Sequence, residues 1–282
     1  MQDNSKKIIK SILIFLMVIV VFSGLILIIN FIKTYDDKGS GDEFLFLLAG
    51  VDSTGEELGT RTDTMILVKA NTSDKTVDLI SIPRDSLVYI NGSLDKINAA
   101  HSYGGIDLTI ETVREFLDID LENYLVIPFQ AVVEGIDGIG GIDIKVSDDV
   151  ANAMDISPGE THFNGEEVLN YLRFRKGYVN ADLGRIDTQQ DFLVQFIKEA
   201  SKAKNIPKLP FVYMSVKDMI ETNIPTYKLM DLALSFRGIS SDSINKIRLN
   251  GYETMIGGVS YYQVYDESIA EIRNNYLYNY AY

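Results

Sequence analysis

Apolar and polar positions divide the chain first near residue 33. From Ser11 to Ile32 the sequence is almost wholly apolar, broken only by Ser23, Gly24 and Asn30. As a helix this run would be roughly 33 Å long at about 1.5 Å per residue, enough to cross a hydrocarbon core of about 30 Å. It is too long for the core of a signal peptide, and no small-residue cleavage site follows it. Lys6, Lys7 and Lys10 precede the run, whereas Lys33 and Lys38 behind it are offset by Asp36 and Asp37. The positive-inside bias then sets a cytoplasmic tail at 1–10, a single transmembrane helix at 11–32, a tether at 33–42 and an extracellular domain at 43–282.

Beyond the tether the pattern changes to short apolar runs with charged ends. Phe44–Val51, Met65–Val68 and Thr76–Ile82 read as strands of a buried sheet, and they lead into Asp52, out of Arg61-Thr-Asp63-Thr, and into Pro83-Arg84-Asp85. Such ends describe a polar site at one edge of the sheet, where open α/β sheets bind ligands. Tyr124–Phe129, Ile142–Val146 and Ile244–Leu249 add further strands. Helical spacing predicts helices over 106–118, 166–172, 187–202, 211–220, 226–236 and 267–278. A helical turn is expected at 131–135. The glycine-rich run from Gly135 to Gly141 lacks the strand–Gly–helix order of a nucleotide loop and reads as a tight connection into the next strand.

Composition narrows the chemistry. The formal net charge is −14 and there is no cysteine. A nucleic-acid partner needs a basic face, so none is expected. Disulfides, thiolate metal sites and a cysteine nucleophile are excluded. Of the two histidines, His101 reads as structural.

Against this acidic background, three of the nine arginines fall between Phe163 and Gln190: Arg173, Arg175 and Arg185. In an extended segment Arg173 and Arg175 would leave the same face. Guanidinium groups donate paired hydrogen bonds that suit phosphate or carboxylate. Surface ion pairing with the abundant acids is the alternative. Arg61 and Asp63 could likewise form a structural pair, Asp52 could be a turn residue, and Asp85 could simply hold Arg84.

Taken together, Leu47-Leu-Ala-Gly-Val-Asp52, Arg61-Thr-Asp63-Thr, Ser81-Ile-Pro-Arg84-Asp85 and Lys96-Ile-Asn98 with Tyr103-Gly-Gly105 resemble the LytR-CpsA-Psr family of membrane-anchored cell-wall glycopolymer transferases. Asp137-Gly-Ile-Gly-Gly141, Tyr171-Leu-Arg173-Phe-Arg175 and Asp182-Leu-Gly-Arg185 with Gln189-Gln190 complete the match, in order, over roughly 43–200. One departure is Thr188, where the family usually has an arginine before the paired glutamines.

The resemblance implies a mixed α/β fold, a central mixed β-sheet flanked by α-helices behind one N-terminal transmembrane helix. It implies transfer of a glycopolymer, such as teichoic acid or capsule, from an undecaprenyl-pyrophosphate carrier in the membrane lipid to a peptidoglycan hydroxyl. By similarity Arg84, Arg173, Arg175 and Arg185 would hold the pyrophosphate, with Arg61 beside them and Gln189 as a neutral donor. Asp52 and Asp63 would bind Mg²⁺, with Mn²⁺ also compatible. Among these, Arg84, Arg173 and Arg175 would serve catalysis, with Asp85 as the candidate base for the attacking hydroxyl. The resemblance also implies an apolar tunnel for the lipid tail beside the arginines. A hydrolase acting on the same diphosphate, and a non-catalytic polyprenyl-phosphate-binding regulator of the envelope, are the rival functions.

Overall fold

The computed structural model describes residues 43–52, 60–146, 148–174 and 181–282, and for residues 149, 153 and 181–188 the backbone alone. The expected tail, membrane helix and tether lie outside the described residues. No helix among the described residues is long and apolar enough to cross a membrane.

A six-stranded mixed sheet organises the chain from Glu43 to Tyr282. Its centre is β1 (Glu43–Val51), antiparallel to β2 (Thr62–Asn71) and parallel to β6 (Asn123–Pro128). Beyond β2 come β3 (Thr76–Ser81), antiparallel to β2, and β10 (Ile244–Arg248), parallel to β3. The two-residue β9 (Glu221–Thr222) closes the other side, antiparallel to β6. The continuous apolar run in β1 has a direct cause, because both of its faces are covered. Leu45, Leu47 and Ala49 pack with Ala99 and Val113 of α1 (Ala99–Leu117) and Ile272 of α8 (Asp266–Tyr276). Phe46 and Leu48 face the opposite way with Ile66 and Val68, towards Leu193 and Ile197 of α5 (Ala181–Ala200) and Leu232 of α7 (Thr226–Ser235). This gives helix, sheet and helix layers, as amphipathic helices on a two-faced sheet require.

A second core lies to the side. There α2 (Phe129–Ile139) and α4 (Gly165–Arg173) meet the hairpin of β7 (Ile142–Val146) and β8 (Gly159–Phe163), with Phe192 of α5. Asn164 starts α4 through a reciprocal capping box: its side chain accepts from the Glu167 N–H, and the Glu167 carboxylate accepts from the Asn164 N–H. At the other end Phe174 turns extended, which makes Arg173 the last helical residue.

Several elements differ from the sequence expectations. The chain is helical up to Arg173 and extended at Phe174, and Arg175, on which the shared-face expectation also depends, lies outside the described residues. The run at Gly135 is helical too: α2 continues to Ile139 and ends on Gly140, whose φ of 93° suits a left-handed helix cap. Helix α1 begins at Ala99 rather than 106, kinked at Gly104 and Gly105, and the left-handed Asp118 closes it. Helix α5 begins at Ala181 rather than 187. Near the C-terminus α6 (Leu209–Val216) stops short of Ile220, and α8 ends at Tyr276.

Not expected at all were the short α3 (Asp148–Met154), β8, β9, the β4 (Leu87–Ile90)–β5 (Ser93–Lys96) hairpin and the hairpin of β11 (Gly251–Ile256) and β12 (Val259–Val264). The last of these turns on Gly257 and Gly258, with φ of 59° and 83°. A Gly-Gly pair between strand-like runs is a strong hairpin signal.

Candidate active site

Sheet pairing brings the polar ends together. Strands β1, β3, β6 and β10 run in one direction, so their C-terminal ends share one edge, and β2 begins there. Asp52 follows β1, Arg84 follows β3, Phe129 follows β6 and Arg248 ends β10. Val51 pairs with Thr62 and Gly50 with Thr64, so Asp63 is the extra residue of a β-bulge. A bulge breaks the in–out alternation and re-aims the side chain. Here Thr62 is buried while Asp63 turns to the edge.

Two acid–arginine pairs define the edge. Arg84 Nη1 donates to Asp63 Oδ1 at 2.6 Å. Arg173, reaching over from the end of α4, donates to Asp52 Oδ1 and has its guanidinium carbon 5.1 Å from the centre of the Phe129 ring. The loop that carries Arg84 is tied down on both sides. Ser86 bonds back to Pro83 O at 2.7 Å, the Asn98 N–H donates to Arg84 O at 3.2 Å, and the Ile97 N–H donates to Ser86 O at 2.8 Å.

Asp85 accepts from Lys96 Nζ at 3.0 Å, and its other oxygen lies 4.0 Å from Arg84 Nε. Two cations thus flank Asp85, and the contact with Arg84 lets it orient that guanidinium. Arg61 is exposed and does not pair with Asp63. Its charge acts on Asp95 and Tyr103. Burial opposes ionisation of Asp95, but the Tyr103 hydroxyl at 2.5 Å, the Lys96 N–H and the charges of Arg61 and Lys96 outweigh it and hold the carboxyl below its usual range. His101 Nδ1 donates to Thr60 O at 2.8 Å, a structural role that fastens the strand entering Arg61.

The paired glutamines separate in function. Gln190 is buried and donates to Leu79 O at 3.1 Å and Ile247 O at 2.8 Å, tying α5 to β3 and β10. Gln189 faces the site. The side chains of Arg185 and Thr188 are not among those described.

Two concavities meet at Gln189. One is polar and small, about 50 Å³, lined by Asp63, Arg84, Asp85, Glu253, Ser260 and Tyr261. The other is a cavity of about 280 Å³ lined almost wholly by apolar groups, including Leu48, Ile66, Gly135, Phe192, Phe196 and Val216. It lies between the sheet face of Leu48 and helices α2, α5, α6 and α7. Thr64, Ile66 and Gln189 border both. A long apolar tunnel beside the arginines was expected; among the described residues there is an apolar cavity of about 280 Å³ that borders the pocket lined by Arg84.

The donor set fits an anion with a hard cation only in part from the protein. Among the described residues no cluster of three or more acids or histidines could cage a metal alone. Asp52 and Asp63 sit on adjacent strands at one edge, and Mg²⁺ commonly takes one or two carboxylates, with phosphates and water completing the octahedron. Arg84 and Arg173 pair with these two acids. Sequence reasoning gave no site role to Phe129, Glu253 or Tyr261, and named Lys96 only within a motif; Glu253 and Tyr261 stand on the β11–β12 hairpin, which the Gly257-Gly258 turn signals.

The family model of the LytR_cpsA_psr family matches residues 30–277. A polyisoprenyl-teichoic acid–peptidoglycan teichoic acid transferase TagU of Halalkalibacterium halodurans is 31% identical over 241 residues, 84% of this chain and 79% of that protein. The corresponding TagV of Bacillus subtilis is 35% identical over 228 residues, 76% of this chain, which spans 58% of that relative's length. Among solved structures, B. subtilis TagV superposes with a TM-score of 0.73 at 32% identity, covering 84% of this chain and 96% of that one. A structure of TagT bound to LI-WTA superposes with a TM-score of 0.69 at 28% identity, covering 83% of this chain and 88% of that one.

Proposed function

The chain belongs to the LytR_cpsA_psr family, its curated relatives are transferase enzymes, and from that premise we propose that it moves an anionic glycopolymer from an undecaprenyl-pyrophosphate carrier to a peptidoglycan hydroxyl. The observation that carries the proposal is the junction of the two concavities, where a pocket lined by Arg84 and Asp63 meets an apolar cavity at Thr64, Ile66 and Gln189. A lipid diphosphate has the same two halves. Its charged head suits guanidinium forks, and its isoprenoid chain gains about 0.8 kcal/mol for each CH₂ taken from water.

In this account Arg84 and Arg173 grip the diphosphate, with Arg175 and Arg185 assigned to the same role by family resemblance, Arg61 at the entrance and Gln189 as a neutral donor. On arrival the anion competes with Asp63 and Asp52 for their arginines. The freed carboxylates would then hold Mg²⁺, or Mn²⁺, which supplies charge neutralisation at the transferring phosphoryl group. Phosphoryl transfer needs alignment and charge stabilisation more than covalent help, so this set is sufficient in kind. Arg84 is aimed by Asp85 and the fixed 83–86 loop, and Phe129 supports Arg173. An N-terminal anchor at 11–32 would keep the domain outside the cell, at the surface of the membrane that holds the carrier.

The test is incubation of the protein with a labelled lipid-linked polymer, with and without peptidoglycan. Label entering peptidoglycan, and remaining on the carrier when peptidoglycan is withheld, is the expected result. Release of polymer without acceptor would indicate a hydrolase, and binding without turnover a carrier-binding regulator. Arg84→Ala and Arg173→Ala should each lower transfer.

A further inference from the structure

Three carboxylates line the polar pocket, and they are not equivalent. Asp63 is bonded to Arg84, and Asp85 is held between Lys96 and Arg84. Glu253 is exposed and has no cation partner among the described residues. Two of the three carboxylates are thus engaged by cations of the site, and among the described residues only the Glu253 carboxylate has its oxygens open to an incoming hydroxyl.

Backbone pairing fixes where Glu253 stands. The Tyr262 N–H donates to Asp85 O at 2.8 Å, and Ser86 bridges to Tyr262 in parallel. Tyr262 in turn lies opposite Glu253 in the β11–β12 hairpin. Asp85–Ser86, Tyr262 and Glu253 therefore occupy three neighbouring strands. Two interstrand steps of about 4.8 Å put the Glu253 backbone roughly 10 Å from that of Ser86, across the pocket from the arginine loop. Cross-strand partners share a face, so Glu253 and Tyr262 look into the same space. The apolar cavity borders the pocket at Thr64, Ile66 and Gln189 and has no residue of the hairpin in its lining. A diphosphate on Arg84 with its tail in that cavity leaves the hairpin side open for the attacking alcohol. Tyr261, whose ring centre is 5.9 Å from Lys96 Nζ, and Ser260 form the wall there.

We propose that Glu253 is the general base on the acceptor side of the transferase. Its carboxylate takes the proton of the acceptor hydroxyl as the hydroxyl oxygen attacks the phosphorus that bears the polymer. A new P–O bond forms, the bond from that phosphorus to the bridging oxygen of the diphosphate breaks, and the electron pair departs with the lipid phosphate. The proton on Glu253 is then lost to solvent. Asp85 remains an orienting partner of Arg84. The assignment rests on the transferase reading and deepens it by naming the acceptor side of the site.

The experiment uses the full chain in detergent micelles with a polyprenyl-diphosphate-linked glycan as donor and soluble peptidoglycan strands as acceptor. Glu253→Gln should lower kcat about 100-fold, the lower range for loss of a general base. It should leave the donor KM within about twofold and remove the acidic limb of the pH–kcat profile. Glu253→Asp should keep that limb at a reduced rate. An unchanged kcat and limb in Glu253→Gln, or an effect confined to the donor KM, overturns the assignment of Glu253. If Arg84→Ala still abolishes transfer in that case, the transferase reading stands. Absence of transfer by the unmodified protein, with donor bound, overturns the transferase reading itself. Because Glu253 is exposed and has no bonding partner among the described residues, both variants should melt with the parent protein.

Discussion

Gly135 offers a way to separate lipid binding from folding. It lies inside α2, lines the apolar cavity, and a Cβ built there would meet no heavy atom within 4 Å. Gly135→Leu therefore adds a side chain into open space rather than into a neighbour. Replacing glycine in a helix interior by a good helix former is worth about 1 kcal/mol. For a domain of this size that corresponds to a rise in Tm of roughly 2–4 °C. The leucine occupies room for about four carbon atoms of a bound tail. At about 0.8 kcal/mol per buried CH₂, the displaced contact is about 3 kcal/mol, or roughly a hundredfold in Kd.

The assay pairs thermal melting with equilibrium binding of a fluorescent long-chain prenyl diphosphate. A short-chain analogue that cannot reach α2 serves as control. The account predicts a higher Tm, weaker long-chain binding and unchanged short-chain binding. A raised Tm with undiminished long-chain affinity would refute the placement of the tail. A fall in Tm of several degrees would refute the claim that the space beside Gly135 is empty.

Other consequences follow from single contacts. Gln190→Leu leaves the Leu79 and Ile247 carbonyls without their side-chain donor and should cost about 1–3 kcal/mol, roughly 2–12 °C in Tm, whereas Gln189→Ala should lower transfer with little change in melting. Arg84→Lys keeps the charge but loses the fork that meets Asp63 and phosphate, and transfer measured under saturating donor should fall about 100-fold. Glu199 is buried, which opposes its ionisation, but hydrogen bonds from Lys202 and Lys204 outweigh burial and hold its carboxyl below the usual value of 4.5. Its stabilising effect is therefore complete above about pH 4.5 and is lost as pH falls through the depressed value. Glu199→Gln should cost about 1–2 kcal/mol at neutral pH, reduced because both lysines are largely in water, and the gap to the parent should close in melts at progressively lower pH.

Much of the sheet was legible because β1 and β3 are apolar on both faces and their ends carry the charged residues. The edge position of Asp52, Asp63 and Arg84 follows from those boundaries. Their partners do not. Arg84 meets Asp63 because β2 and β3 are antiparallel neighbours and a bulge turns Asp63 outward, and a bulge leaves no mark in hydrophobic periodicity. Arg173 meets Asp52 from the end of α4, the helix that the Asn164 capping box starts and the extended Phe174 ends. That box spells Asn-Gly-Glu-Glu, a start signal that places Arg173 in the helix rather than in an extended segment. The glycines of α2 looked like a loop because glycine weakens helices on average. Here burial against β7 and α4 overrides that cost, and Gly135 leaves room for the cavity. The β11–β12 hairpin was obscured by its exposed residues, which blur the alternation expected of a half-buried strand.

The most direct test is a crystal structure of residues 43–282 with a polyprenyl pyrophosphate and Mg²⁺. The account predicts both phosphates between Arg84 and Arg173, metal density on Asp52 and Asp63, and the isoprenoid chain passing Gln189 towards Phe192 and Val216. A lipid bound elsewhere, with the Arg84–Asp63 and Arg173–Asp52 pairs intact, would contradict it.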